Sequence, residues 1–219
     1  MAKPAARQKE TPGVIKAYLL AYNFLSLAAW GYVLYLLISS LTKSNFDTTR
    51  SYAATFEYVK WVQTAAILEV VHALLGFVRS PVGTTVMQIS SRLFLVWAVV
   101  NLFPATEIRY HWAYSTMIFA WSIADMVRYL YYGLNLLGSQ PGWLLWCRYN
   151  FFHILYPLGA GSEFLLILKS LESVRKFDSR LYWVYGALAC YWPIGLYTMY
   201  TYMISQKRKV LGGARKKTA

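Results

Sequence analysis

The sequence predicts an all-α integral membrane protein, a bundle of six transmembrane helices with both termini in the cytoplasm. Of its 219 residues, 58% are hydrophobic and only 14% are charged, whereas about a quarter of the residues in a soluble domain are charged. A membrane-spanning helix needs about 20 apolar residues to cross roughly 30 Å of hydrocarbon. Six such stretches fill most of the chain, at residues 17–41, 61–78, 86–103, 112–132, 143–168 and 181–204.

These stretches indicate helices because they are continuously apolar over 18 to 26 residues, instead of alternating as barrel strands do. They leave no room for a second folded domain. We therefore predict one transmembrane domain at residues 17–204, preceded by a cytoplasmic segment at residues 1–16 and followed by a basic cytoplasmic tail at residues 205–219. The N-terminal segment is polar and has no small-residue cleavage site, so we expect the first helix to be a retained anchor.

The basic residues predict the orientation. Fourteen of the 22 Lys and Arg residues lie on or near the side of the predicted termini, and eight lie on the other side together with five acidic residues. Loops rich in Lys and Arg stay in the cytoplasm. This bias explains most of the formal charge of +13 without nucleic acid. A surface for anionic head groups or a phosphorylated substrate remains a second explanation.

The chain ends in Lys216-Lys217-Thr218-Ala219, which resembles the dilysine signal that returns membrane proteins to the endoplasmic reticulum. The alternative is a basic tail next to the membrane. Such a signal functions only in a cytoplasmic tail, and the charge distribution predicts that location for it.

The cysteines and histidines exclude several kinds of chemistry. Cys147 and Cys190 both lie in apolar stretches, so we expect neither a disulfide framework nor a zinc site. Neither begins a Cys-x5-Arg phosphatase loop, because His153 and Leu196 stand where the arginine would be. With three histidines in all and no Gly-x-Gly-x-x-Gly motif, we expect no metal and no cofactor.

Polar residues within the predicted helices are functional candidates, because they are costly to place in lipid. For Glu69 and Gln88 we favour hydrogen bonds between helices. Asp125 and Arg128 lie three positions apart, which is compatible with a local ion pair or with phosphate binding. The same two interpretations remain open for Arg92.

The fifth stretch combines polar residues with a helix-breaking sequence. Tyr156 and Glu163 are separated by seven positions, so they lie on one helix face about 10 Å apart along the axis. Pro157 is expected to kink the helix, and Gly159 and Gly161 either open a polar notch or allow close helix packing. No basic residue stands three or four positions from Glu163. An unneutralised carboxyl group near a phenol suits proton transfer on a lipid-like substrate.

Four strings stand out in the sequence: Val78-Arg79-Ser80-Pro81, Gln88-Ile89-Ser90-Ser91-Arg92, Val127-Arg128-Tyr129-Leu130-Tyr131-Tyr132, and Arg148-Tyr149-Asn150 continuing through Leu155-Tyr156-Pro157-Leu158-Gly159 to Ser162-Glu163. They resemble the very-long-chain (3R)-3-hydroxyacyl-CoA dehydratase family, once called protein tyrosine phosphatase-like. The resemblance extends over about 200 residues, and the compact size suits the fungal type.

The resemblance implies a six-span enzyme of the endoplasmic reticulum membrane that catalyses the third step of fatty-acid elongation. Such an enzyme removes water from a very-long-chain (3R)-3-hydroxyacyl-CoA to give the trans-2-enoyl-CoA, without a cofactor. Its catalytic tyrosine and glutamate correspond to Tyr156 and Glu163. Its expected partners are the acyl-CoA substrate, membrane lipid and the other elongation enzymes.

The resemblance also implies roles for further residues. The motif arginines and glycine of the family correspond to Arg92, Arg128 and Gly159, and its bundle-supporting positions correspond to Glu69 and Gln88. We take Arg79, Arg92 and Arg128 as candidates for binding the polar end of the substrate. The chain departs from the family pattern at Asp125, where a glutamate is expected, and the shorter side chain leaves its pairing with Arg128 open.

Two other classes of function are compatible with a six-helix membrane bundle. A small transporter would also bury polar residues among six helices, but the sequence has no inverted repeat and no paired broken helices. A non-catalytic scaffold on the same fold would be favoured if either member of the catalytic pair were missing, and both are present.

Overall fold

The structure is a computed structural model that describes residues 12–103 and 106–215, and this part of the chain is helical without any β-strand. The all-α prediction is therefore confirmed for these residues. The short helix Thr48–Arg50 has 3₁₀ geometry, and Phe94–Asn101 forms a π-helix. The α-helices are α1 (Gly13–Lys43), α2 (Ser51–Ala65), α3 (Ile67–Leu74), α4 (Val82–Leu93), α5 (Thr106–Arg109), α6 (Trp112–Leu136), α7 (Gly142–Asn150), α8 (Phe152–Phe177) and α9 (Ser179–Arg215).

Glycines end two of the helices, α3 and α6. Gly76 and Gly138 have φ angles of +70° and +82°, a left-handed conformation that glycine adopts without the cost of a Cβ atom. After α3, the N–H of Phe77 donates to the carbonyl of His72, and after α6 the N–H of Ser139 donates to the carbonyl of Leu134. Both ends are therefore Schellman motifs, which satisfy carbonyl groups that the helix leaves without partners.

The second and third predicted stretches differ from the observed helices. The second begins at Ser51 instead of residue 61 and is divided at Ala66 into α2 and α3. Its first turns carry the exposed ion pair between Glu57 and Lys60, so this part is not apolar and hydropathy alone did not find it. The third changes from α4 to the π-helix Phe94–Asn101, and π-helical turns often occur near functional sites.

The fifth and sixth predicted stretches also differ in detail. The fifth is interrupted at Phe151, between α7 and α8, whereas α8 continues through Pro157. The sixth extends as α9 to Arg215, because the lysines and arginines after residue 204 are good helix formers. Most of the predicted basic tail is thus helical. Residues 1–11 and the dilysine ending lie outside the described residues.

Helix α6 is the centre of the bundle, since it packs against α1 on one side and α8 on the other, while α9 packs on α8. The hydrophobic core lies between these helices and the α2 and π-helical segments. Its most buried side chains include Leu37, Val59, Val99, Ile118 and Leu166.

By length and composition, three helical segments in the described part of the chain are capable of crossing a membrane. They are Gly13–Lys43, Val82–Asn101 and Gly142–Phe177. The molecule is therefore a helical protein with segments suited to a bilayer.

Candidate active site

Four helical segments enclose a cavity of about 450 Å³. Its walls come from α4, α6, the α7–α8 segment and α9. Many of the lining side chains are apolar, among them Met87, Leu155, Leu196 and Met199. The cavity is therefore suited to a ligand with a hydrocarbon chain and a few polar groups.

Glu163 lies in the wall of this cavity and is held by two tryptophans. The indole N–H of Trp121, from α6, donates to Glu163 Oε1 at 2.8 Å, and the indole N–H of Trp192, from α9, donates to Oε2 at 3.2 Å. No basic side chain that the structure describes forms an ion pair with Glu163. Neutral donors therefore orient the carboxylate and leave its charge available for chemistry.

Tyr156 lines the same cavity two turns before Glu163 on α8. Its ring stacks on that of Tyr200, with centroids 6.1 Å apart and an angle of 26° between the planes, and also contacts Phe152. Its hydroxyl makes no hydrogen bond to another side chain in the described part of the chain. The phenol is thus fixed by its ring, and its O–H remains available to a ligand.

Arg92 and Arg128 line the cavity and are engaged in an ion-pair network between helices. Arg92 Nη1 lies 2.5 Å from Asp125 Oδ2, and Arg128 Nη2 lies 3.1 Å from Asp125 Oδ1. Arg128 also pairs with Glu69 at 2.5 Å, and Tyr129 donates a hydrogen bond to Glu69. The aspartate is therefore long enough to pair with Arg128, and the network connects α3, α4 and α6.

The remaining predicted site residues are placed differently. Gly159 lines the cavity, and a Cβ atom there would lie 3.5 Å from Ala120 and 3.8 Å from Trp121 of α6. Gln88 is exposed on the cavity wall, and its amide makes no hydrogen bond to a described residue. Glu69 does not line the cavity, but it forms an ion pair with Arg128, which does. Arg79 is exposed between α3 and α4 and does not line it either.

The sequence interpretation missed two side chains of the cavity, both of which bind Glu163. Trp121 and Trp192 contact Glu163 across 42 and 29 positions of sequence, so no spacing rule predicts them. Arg148 also lines the cavity, with its guanidinium carbon 4.4 Å and 4.9 Å from the ring centroids of Tyr131 and Tyr132. Arg148 lies in an apolar stretch and in one of the strings that resemble the family, but the sequence interpretation assigned it no role of its own.

This arrangement places a carboxylate and a phenol on one wall of a largely apolar cavity. Arginine side chains line the same cavity. Two such groups are able to remove one proton and supply another within a single bound substrate.

Comparison with known proteins identifies the family. Residues 63–213 match the family described as protein tyrosine phosphatase-like protein, PTPLA. No solved structure matches the chain significantly.

Named relatives cover nearly the whole chain. A probable very-long-chain (3R)-3-hydroxyacyl-CoA dehydratase of Schizosaccharomyces pombe is 45% identical over 195 residues, covering 88% of this chain and 92% of the relative. The dehydratase PASTICCINO 2 of Arabidopsis thaliana is 37% identical, covering 93% and 96%. The dehydratase 2 of Mus musculus is 33% identical, covering 94% and 85%. The chain therefore belongs to the protein tyrosine phosphatase-like family, together with very-long-chain (3R)-3-hydroxyacyl-CoA dehydratases of yeast, plant and animal.

Proposed function

We propose that the protein is a lyase that dehydrates very-long-chain (3R)-3-hydroxyacyl-CoA to the trans-2-enoyl-CoA, the third step of fatty-acid elongation. The observation that carries the proposal is that Tyr156 and Glu163 line one cavity with largely apolar walls. The names of the relatives support the same reaction.

The proposed mechanism assigns one proton transfer to each group. Glu163 takes the proton from the carbon next to the thioester, and the electron pair forms the new double bond. The bond between carbon 3 and its hydroxyl oxygen breaks as Tyr156 supplies a proton, so the hydroxyl leaves as water. Transfer of the captured proton from Glu163 back to Tyr156 restores the enzyme. The opposite assignment uses the same two groups with their roles exchanged.

The catalytic pair is tested by Tyr156→Phe and Glu163→Gln. Each removes one proton donor or acceptor while keeping the shape of the side chain, so we expect kcat to fall by about 10²- to 10⁴-fold. The measurement is conversion of a long-chain 3-hydroxyacyl-CoA to its enoyl product by detergent-purified protein, without nicotinamide.

Two matched variants serve as controls. Glu172→Gln changes an exposed glutamate of α8 that pairs with Lys176, and Tyr197→Phe changes an exposed tyrosine of α9. Neither residue lines the cavity, and both variants should retain activity. Wild-type turnover in Tyr156→Phe or Glu163→Gln would rule out that residue as a member of the catalytic pair. Absence of turnover in the wild type itself would favour a non-catalytic scaffold.

Arg92 and Arg128 on the cavity wall, and Arg79 outside it, are proposed to contribute positive charge near the polar end of the substrate. Replacing each with glutamine should raise the apparent KM more than it lowers kcat, because a binding contact acts on substrate and transition state alike. A loss of kcat at unchanged KM would instead assign that arginine to the chemistry or to the support of the site.

We further propose that the protein is a multi-pass component of the endoplasmic reticulum membrane with six crossings and both termini in the cytoplasm. Beyond the three apolar segments, α9 exposes large apolar side chains that suit lipid, including Trp183, Ile194 and Tyr197. Membrane lipid and other elongation enzymes are its proposed partners. Glu69 and Gln88 are proposed to support the bundle, and for Glu69 the supporting contact is its ion pair with Arg128.

A further inference from the structure

Arg148 is a cavity-lining cation held by neutral aromatic groups. Its guanidinium carbon lies 4.4 Å and 4.9 Å from the ring centroids of Tyr131 and Tyr132, and its Nη2 is 3.4 Å from the Tyr132 hydroxyl. Rings attract a cation and fix its plane without cancelling its formal charge. The residue is only partly buried, so it presents a positive charge to the cavity.

The other two arginines of the cavity are already paired with carboxylates. Arg92 and Arg128 pair with Asp125, and Arg128 also pairs with Glu69. Arg148 has no carboxylate partner among the described side chains, and its Nη1 makes no hydrogen bond. Of the three, Arg148 is therefore the one suited to binding an anion that enters from outside.

A second cation at the same end of the bundle also has neutral partners. Lys207 of α9 contacts Asn150 Oδ1 and His153 Nε2, each at 2.9 Å. It follows Met203, which lines the cavity, by about one turn. The end of the cavity near Arg148 therefore has a net positive charge, whereas Glu163 lies toward the other end.

The helix itself gives the distance between these two regions. Residues 142–177 form a nearly continuous helical segment, and each residue adds about 1.5 Å. Arg148 thus lies about 12 Å along the axis from Tyr156 and about 22 Å from Glu163. An extended pantetheine arm separates the thioester of an acyl-CoA from its diphosphate by a comparable length.

We propose that Arg148 binds the diphosphate of the CoA group, and so fixes the thioester between Tyr156 and Glu163. The inference rests on the proposed dehydratase function and adds the site that recognises the CoA head group. Arginine matches phosphate geometry with paired donors, which makes it a stronger ligand for this group than a single charge.

The test compares two substrates that carry the same 3-hydroxyacyl chain, one as the CoA thioester and one as the pantetheine thioester, which has no phosphate. For purified full-length Arg148→Gln, we expect the KM for the CoA thioester to rise at least about tenfold, with kcat within about twofold. The KM for the pantetheine thioester should equal that of the wild type. Arg148→Lys should restore part of the affinity for the CoA thioester.

Arg109→Gln is the matched control. Arg109 also lies over a tyrosine ring, 4.8 Å from that of Tyr52, and has a buried nitrogen without a partner, but it does not line the cavity. It should leave both KM values unchanged. In addition, free CoA should inhibit the wild type far more strongly than free pantetheine, and this difference should shrink in Arg148→Gln.

Three results would overturn the proposed phosphate site, and a fourth would overturn the proposed function. An unchanged KM for the CoA thioester in Arg148→Gln, an equal rise for both substrates, or equal inhibition of the wild type by CoA and pantetheine would overturn the phosphate site. Failure of the wild type to dehydrate either thioester would instead overturn the proposed function.

Discussion

At the scale of single residues, the two indole N–H groups that bind Glu163 are expected to position it for proton transfer. Trp121→Phe keeps an aromatic ring but removes the 2.8 Å hydrogen bond to Oε1. A hydrogen bond to a charged group contributes about 1.5–3 kcal/mol, so we expect kcat to fall about 10- to 100-fold with little change in KM. Trp192→Phe should cause a smaller loss, because its bond is longer at 3.2 Å. Steady-state kinetics of the purified variants measure both effects.

Trp97→Phe is the control for this prediction. The indole N–H of Trp97 donates to Thr64 Oγ1 at 3.0 Å, away from the cavity. The variant therefore loses an indole hydrogen bond of similar length without touching Glu163. If Trp121→Phe reduced kcat no more than Trp97→Phe does, positioning by Trp121 would be disproved.

The sequence predicts some residues of the site and does not predict others. Tyr156 and Glu163 were expected to share a wall of one site because both lie on one helix, where seven positions make nearly two turns. The partners of Glu163 come from α6 and α9, and contacts between helices depend on how the bundle packs. For the same reason, the sequence left open whether Asp125 reaches Arg128, which the structure shows at 3.1 Å.

At the scale of helices, the contact between α6 and α8 determines where Trp121 meets Glu163. Gly159 faces α6, where an added Cβ would lie 3.5 Å from Ala120, while Gly161 has no atom within 4 Å of its Cβ position. We expect Gly159→Val to reduce kcat strongly, since its branched side chain pushes α6 away and moves Trp121 from the carboxylate. Gly159→Ala should be tolerated better, because its single methyl group would be in ordinary van der Waals contact.

Gly161→Val provides the comparison on the same helix. Both valine variants change helix propensity by the same substitution, so the difference between their kcat values isolates the contact with α6. Equal activity of Gly159→Val and Gly161→Val would show that this contact does not determine the geometry of the site.

Helix positions were predictable from the sequence, and helix interruptions were not. All six predicted stretches overlap observed helices, because continuous apolar runs are a strong signal. The break at Ala66 and the π-helix after α4 occur within runs of ordinary helix-forming and apolar residues, so no local signal marks them. Pro157 lies inside α8, and the helical segment is interrupted six residues earlier, at Phe151.

At the scale of the whole molecule, the number of crossings remains to be tested. The six apolar stretches predict six crossings, and the positive-inside bias places both termini in the cytoplasm. Length and composition of the described helices mark three segments, Gly13–Lys43, Val82–Asn101 and Gly142–Phe177. The two arrangements agree that residue 49 lies on the far side of the first crossing. They differ in the side on which they place residue 80, which follows the α2–α3 segment.

Single cysteines at these positions distinguish the two arrangements. In protein with Cys147→Ala and Cys190→Ala, we expect Ser80→Cys in sealed microsomes to react with a membrane-impermeant maleimide, and Thr49→Cys to react only after detergent is added. The reason is that the α2–α3 segment returns the chain to the cytoplasmic side before α4 begins. If both cysteines were protected until detergent is added, α2 and α3 would not cross the membrane, and the six-crossing topology would be wrong.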